Sequence, residues 1–93
     1  MIAIILKEAE DELDAAFEYY DEQRAALGHR GVEKVLQHPR AWQPLDAIYR
    51  SYRLNRFPYG IVYRVDSAAD RIVIVAIMHL SQNPDQWRGR ERC

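Results

Sequence analysis

The chain has 93 residues, a net charge of −1, 48% hydrophobic residues and 29% charged ones. That mix suits one globular domain over residues 1–93 with a thin core, and it excludes a disordered tract or a membrane span, because the longest apolar run, Ile72 to Met78, is far shorter than a bilayer requires. The lone cysteine, Cys93, excludes a disulfide framework, and Met1 to Leu6 lacks a basic leader, so the sequence predicts a cytoplasmic protein.

In chain order, Ile2 to Leu6 is wholly apolar and predicts a short strand buried on both faces. A helix is predicted over Ala9 to Leu27, with Leu13, Ala16, Phe17, Tyr20 and Leu27 at helical spacing and acids on the other face. Acids crowd its first turns, where they complement the helix dipole, and Gly28 reads as a left-handed stop. A second, short helix is predicted over Arg30 to Gln37, weakened by Gly31 and ended by Pro39. Residues 39–44 read as a connecting loop.

Ile48 to Phe57 alternates, with Ile48, Tyr52 and Leu54 on one side and Ser51, Arg53 and Asn55 on the other. Pro58 places this strand at an edge or ends it there. Ile61 to Val65 is a further strand, and Asp66 to Asp70 a turn. Arg71 to His79 is apolar on both faces and predicts a central strand. Asn83-Pro84 opens a basic tail, residues 83–93. The order β-α-α-β-β-β predicts an α+β fold, a helical hairpin packed on one face of a small, mostly antiparallel sheet. The opposite sheet face has only the tail to cover it and is the expected functional surface, with Arg53 on it if Leu54 points to the helices.

Charge is uneven. Residues 1–22 carry eight acids and one base, whereas residues 23–93 carry six acids and twelve bases. Eleven of the thirteen bases are arginine, whose planar fork suits carboxylate and phosphate. The split reads either as two surfaces for different partners or as an ordinary solvated exterior. His29 and His38 have no metal-ligand partners at useful spacing, and no cofactor motif is present.

Three stretches together resemble the ParE/RelE toxin superfamily of type II toxin–antitoxin systems, also described as plasmid stabilisation proteins. They are Ala15-Ala-Phe-Glu-Tyr-Tyr-Asp-Glu-Gln23 with Leu27-Gly28, then Tyr52 to Val65 with its Arg-Phe-Pro-Tyr-x-Ile-x-Tyr pattern, then Ile72 to His79 with Asn83-Pro84-Asp-Gln-Trp87 and Arg90. The resemblance implies a toxin neutralised by, and hetero-oligomeric with, a cognate antitoxin. ParE-like members poison DNA gyrase, and RelE-like members cut messenger RNA on the ribosome. A shared fold does not choose between them.

Two departures bear on that choice. Where RelE-like nucleases carry further basic residues, this chain has Asn55, Gly60 and the neutral run Leu80-Ser-Gln-Asn83. RNA hydrolysis needs a base, an acid and a cation for the developing phosphate charge, and only part of that set is visible. The stretch from Gly28 to Pro39 is also roughly eight to ten residues shorter than such hairpins use, so helix 2 reads as truncated.

The ParE-like branch is therefore expected, with Arg53, His79, Trp87, Arg88 and Arg90 at the target-binding face. The enzyme alternative is a messenger-RNA interferase using Arg53, His79 and Arg90. A third reading, motivated by the short helix 2, is a non-toxic binding module. His79 reads as a general base or as a packed histidine at a strand end. Trp87 reads as packing for the tail or as a base-stacking platform. Arg56 is assigned to structure, Tyr63 to the core, and Arg64 and Arg71 to no role.

Overall fold

The computed structural model describes residues 1–17, 22–54 and 58–91, with Phe17 and residues 22–29 described by backbone alone. Strand β1 (Ile2–Ile5) is followed by helices α1 (Lys7–Phe17) and α2 (Glu22–Gln37), then by strands β2 (Gln43–Pro44), β3 (Tyr49–Arg53), β4 (Tyr59–Asp66) and β5 (Arg71–His79). The sheet order is β1-β5-β4-β3-β2. Only β1 and β5 run parallel, and the other pairs are antiparallel. The α+β fold read from the sequence, two helices on one face of a mostly antiparallel sheet, is the one observed.

β5 organises the core. Ile72 to Met78 are all buried, as an apolar run flanked by β1 and β4 requires. Ile72, Ile74 and Ile77 face the helices, packing with Ala9, Ala16, Val35, Leu54, Ile61 and Tyr63. Val73, Val75, Ala76 and Met78 belong to a second cluster with Val62 and Trp87 on the other face. Each large aliphatic side chain so buried contributes about 1.5–3 kcal/mol. Strict alternation would not put both Ile74 and Ile77 on one face. A β-bulge resolves this: Val62 pairs with Ala76 and Tyr63 with Ile74, so Val75 is an extra residue.

Several expectations need correction. The first helix does not run to a stop at Gly28. It is described over Lys7–Phe17, residues 18–21 lie outside the described residues, and α2 runs from Glu22 through Gly28 and Gly31 to Gln37. Helix 2 is thus 16 residues long, longer than the Arg30–Gln37 span predicted. Tyr20 falls outside the described residues and Leu27 is described by backbone alone. Gly31 is not a weak point but a point of contact: a Cβ there would overlap the Leu54 side chain and lie 3.1 Å from Ile61 Cδ1. The helix can approach the sheet here because glycine leaves the space empty.

β1 is not buried on both faces. It is an edge strand, paired only with β5, and Ile2 and Ile5 are 63% and 36% exposed. The region read as a loop contains the two-residue strand β2, which pairs outside β3 and makes the sheet's other edge. A short edge strand holding Pro44 is a common way to blunt further pairing. β3 is shorter than the Ile48–Phe57 alternation suggests, and Asn55 to Phe57 lie outside the described residues.

Gly31→Ala is expected to lower stability by about 1 kcal/mol, because overpacking against Leu54 outweighs the helix propensity gained. In a Leu54→Ala background the penalty should vanish. Urea melts of the four chains measure this coupling, and equal effects of Gly31→Ala in both backgrounds would refute the close approach.

Candidate partner-binding face

The tail covers the sheet face opposite the helices, and its residues explain how. Asn83, Asp85 and Trp87 each begin a turn, their carbonyls accepting hydrogen bonds from the Gln86, Arg88 and Arg90 amides. Trp87 is 1% exposed and meets Tyr49 edge-on, with ring centroids 4.6 Å apart. Gly89 has φ 89°, where side chains other than glycine are strained, and it parts the neighbouring arginines.

Arg88 lies 4.4 Å above the Trp87 ring and pairs with Asp85 at 2.8 Å and Asp46 at 2.9 Å. Arg90 instead pairs with Glu12 of α1 at 2.6 Å and donates to the Val75 carbonyl at 3.0 Å. Glu12 in turn accepts a hydrogen bond from the Ile77 amide. This pair does what a neighbouring strand would do, since β1 stops pairing at Ile74 and β5 continues to His79. Glu91 accepts three hydrogen bonds from Arg64, at 2.8, 2.9 and 3.0 Å, and a fourth from the Tyr49 hydroxyl.

Three consecutive fasteners thus bind the tail to the β2–β3 connection, to α1 and to β4. Their charges are stabilised accordingly. Hydrogen bonds from the Tyr49 amide, the Arg88 guanidinium and the Ile48 amide lower the Asp46 pKa to about 2. The Arg64 hydrogen bonds hold Glu91 below the ordinary carboxylate value.

A cleft of about 130 Å³ opens between this tail and the sheet. Gly60 and Val62 of β4, Ser51 of β3, Met78 of β5, Leu45, Leu80, Pro84 and Trp87 line it, with His79 and Gln82 at its polar end. Arg53 pairs across from Gly60. It shares strand parity with Ser51, while Leu54 packs among the helices, so Arg53 leaves the sheet on the cleft side. Its side chain is exposed and makes no ion pair among the described residues.

His79 closes the end of the cleft by its position, but it pairs with Tyr59 and shares the parity of Ile77, so its ring leaves the sheet on the helix side, edge-on to Tyr59 at 5.1 Å. Its Nδ1 accepts from the Ser81 amide at 3.1 Å and lies 2.7 Å from the Ser81 hydroxyl. A donor on Nδ1 assigns the ring proton of the neutral imidazole to Nε2. Nε2 is then the ring's hydrogen-bond donor.

Of the residues that the sequence places at the target face, Arg53 stands at the cleft and Trp87 forms its inner wall, while the His79 ring turns to the helix side beside Tyr59. Arg88 and Arg90 are engaged within the chain. Trp87 has no exposed face on which a base could stack, so packing is its role here. Arg53, His79 and Arg90 are not gathered as a catalytic trio: Arg90 is fastened beside Val75 on the far side of β5. Arg56 lies outside the described residues. Tyr63 is fully buried; its hydroxyl donates to the Pro39 carbonyl at 2.7 Å, and burial pushes its pKa up to about 12. Among the described residues no group of three or more His, Cys, Asp and Glu side chains converges to hold a metal. Among the described residues no helix is long and apolar enough to cross a membrane.

Sequence reasoning missed Glu12, Asp46, Arg64 and Glu91, the partners that fix the tail. Trp87 was the one visible cue that the tail packs. Nothing local in the sequence pairs positions 78 residues apart such as Glu12 and Arg90.

Comparison with known proteins now defines the class. The profile of the ParE toxin family, from the parDE type II toxin–antitoxin system, matches residues 3–84. The chain belongs to this family: it is a type II toxin, and a cognate antitoxin is the partner that membership implies. The fold is similar to a toxin of the chromosomal ParDE system of Pseudomonas aeruginosa (P. aeruginosa), with TM-score 0.61 and 21% identity over 85% of this chain and 95% of that one. It is also similar to a YoeB/ParE toxin from Agrobacterium tumefaciens, with TM-score 0.68 and 19% identity over 85% and 98% of the two chains. The isolated Escherichia coli (E. coli) RelE toxin aligns with TM-score 0.68 and 14% identity over 89% and 87%. No curated protein sequence matches the chain.

Arg90→Met is expected to cost about 2 kcal/mol, since it leaves the partly buried Glu12 without its cation. In a Trp42→Phe background, the fluorescence of Trp87 should shift to the red in the native baseline. An unmoved emission maximum with unchanged stability would show that the pair does not hold the tail.

Acid should release the tail. Both Asp46 and Glu91 have lowered pKa values in the fold, so the stability they supply is present above the ordinary carboxylate range and is lost as pH falls through their lowered values, about 2 for Asp46. Asp46→Asn should flatten the dependence of stability on pH between the ordinary carboxylate value and about 2. Denaturant midpoints across that range provide the check, and an equally steep dependence in the variant would contradict the assignment.

Proposed function

We propose that this chain is a ParE-like toxin acting in the cytoplasm, which arrests growth by binding DNA gyrase and not by hydrolysing RNA. One observation carries the reading. Among the described residues, the arginines of the tail, Arg88 and Arg90, are held in ion pairs that build the fold. What remains at the cleft among the described residues is one cation without an ion partner there, Arg53, beside an apolar surface.

Phosphodiester cleavage through a 2′-hydroxyl asks for a base, an acid and a cation converging on one phosphate. His79 presents a donor from Nε2 while Ser81 occupies Nδ1. The Tyr63 phenol is buried and stays protonated at neutral pH. An apolar cleft with a single flanking charge has the character of a protein-binding surface, in which a buried anchor supplies affinity and a rim charge supplies orientation. The antitoxin would neutralise the toxin by covering this face.

Pulse-labelling of new DNA and new protein, minutes after induction without antitoxin, tests the proposal. DNA synthesis is expected to stop first while translation continues, and Arg53→Ala is expected to weaken the arrest at equal protein levels. Early loss of translation with DNA synthesis spared would overturn the gyrase reading in favour of a ribosome-linked nuclease. Absence of either effect, with folded protein present, would leave a binding module.

A further inference from the structure

The cleft has a size and a chemistry of its own. An apolar cavity of about 150 Å³ is large enough for a benzene ring, so about 130 Å³ suits one large side chain. Gly60 forms part of its floor; a Cβ there would lie 3.3 Å from Ser51 Oγ, so any larger side chain at this position begins to fill the space. Leu45 and Leu80 at the mouth are 39% and 48% exposed, an apolar rim without a cover. Arg53 stands across from Gly60 with no ion partner among the described residues. The other cation near this rim, Arg88, is neutralised by Asp46 and Asp85.

We infer that the cleft is the anchor site for an acidic segment of the antitoxin: one leucine or phenylalanine side chain enters it, and an adjacent carboxylate meets Arg53. The inference deepens the protein-binding reading above and rests on it. A nucleic-acid strand fits less well. Phosphate tracking needs several free cations in a row, whereas the acids Asp46 and Asp85 flank this cleft and, among the described residues, only Arg53 there lacks an ion partner. Stacking needs an open aromatic face, and Trp87 is buried.

The probe is N-acetyl-phenylalanine, compared with its uncharged amide, titrated into the full chain and followed by backbone-amide NMR. Shifts are expected at Gly60, Val62, Met78 and Leu80 and at the Trp87 indole, with the carboxylate binding about threefold tighter than the amide. Arg53→Gln should abolish that preference without abolishing binding. Gly60→Val should abolish binding of both, while amide positions on the helix face keep their native shifts. Shifts that map elsewhere, or none at millimolar probe, would overturn the anchor site, and equal affinity of the two probes would overturn the role of Arg53. Stronger perturbation of the same amides by a dinucleotide would overturn the protein partner in favour of RNA. None of these outcomes depends on whether gyrase or the ribosome is the target, so the labelling experiment can fail while this one succeeds, and the reverse.

Discussion

The structure depends on one requirement: β5 must be buried on both faces. Seven consecutive apolar residues, Ile72 to Met78, cannot be satisfied by helices on one side alone. Among the described residues there is no second helical layer to supply the other cover. The tail does it, with one large aromatic residue and a set of charged fasteners. Trp87 supplies the buried area, since an aromatic of its size covers more sheet than any aliphatic residue. The charged residues then fix its position, because a tail built of turns has no ladder of its own to hold it in register.

The bulge at Val75 and the end of β1 make the next demand. Past Ile74, β5 has no strand on its outer side, and its backbone groups there still need partners. Glu12 takes the Ile77 amide and Arg90 the Val75 carbonyl, and the two side chains neutralise each other. A partly buried ion pair of this kind adds little net stability against an apolar replacement, but removing one member leaves a charge unpaired. Its contribution is therefore one of position. It ties α1, β5 and the tail at a single point, which sets where the cleft between tail and sheet can open.

Much of this was legible from residue order. The alternation near Tyr52, the apolar run of β5 and the helical spacing before residue 28 give the α+β class. The parity of Leu54 correctly put Arg53 on the tail side. Three things were not legible, each for a physical reason. Gly28 carries the mark of a helix stop, yet α2 continues through it, because a glycine in a helix costs only about 1 kcal/mol and tertiary packing exceeds that. β1 looks like a doubly covered strand because composition records hydrophobicity and not neighbours; whether an apolar strand sits at an edge is decided by the sheet order. The tail's partners were hidden because charge pairing across 27 to 78 residues leaves no periodic trace.

The uneven charge along the sequence takes on a different meaning once those pairs are known. An acidic first quarter and a basic remainder suggest two surfaces for two partners. Part of that imbalance is internal: Glu12 from the acidic segment neutralises Arg90 from the basic one, and Lys7 pairs with Asp11 within α1. Arginine serves these internal pairs well, because its planar fork can satisfy a carboxylate and a backbone carbonyl together, as Arg90 does. Abundance of arginine is thus a poor guide to a binding face in this chain. The discriminating property is the absence of an ion partner, and on the tail-covered face that property separates Arg53 from Arg88 and Arg90. A cation left without a counter-charge among the described residues, next to an open apolar cleft, adds little to the fold, so its value lies in what approaches from outside.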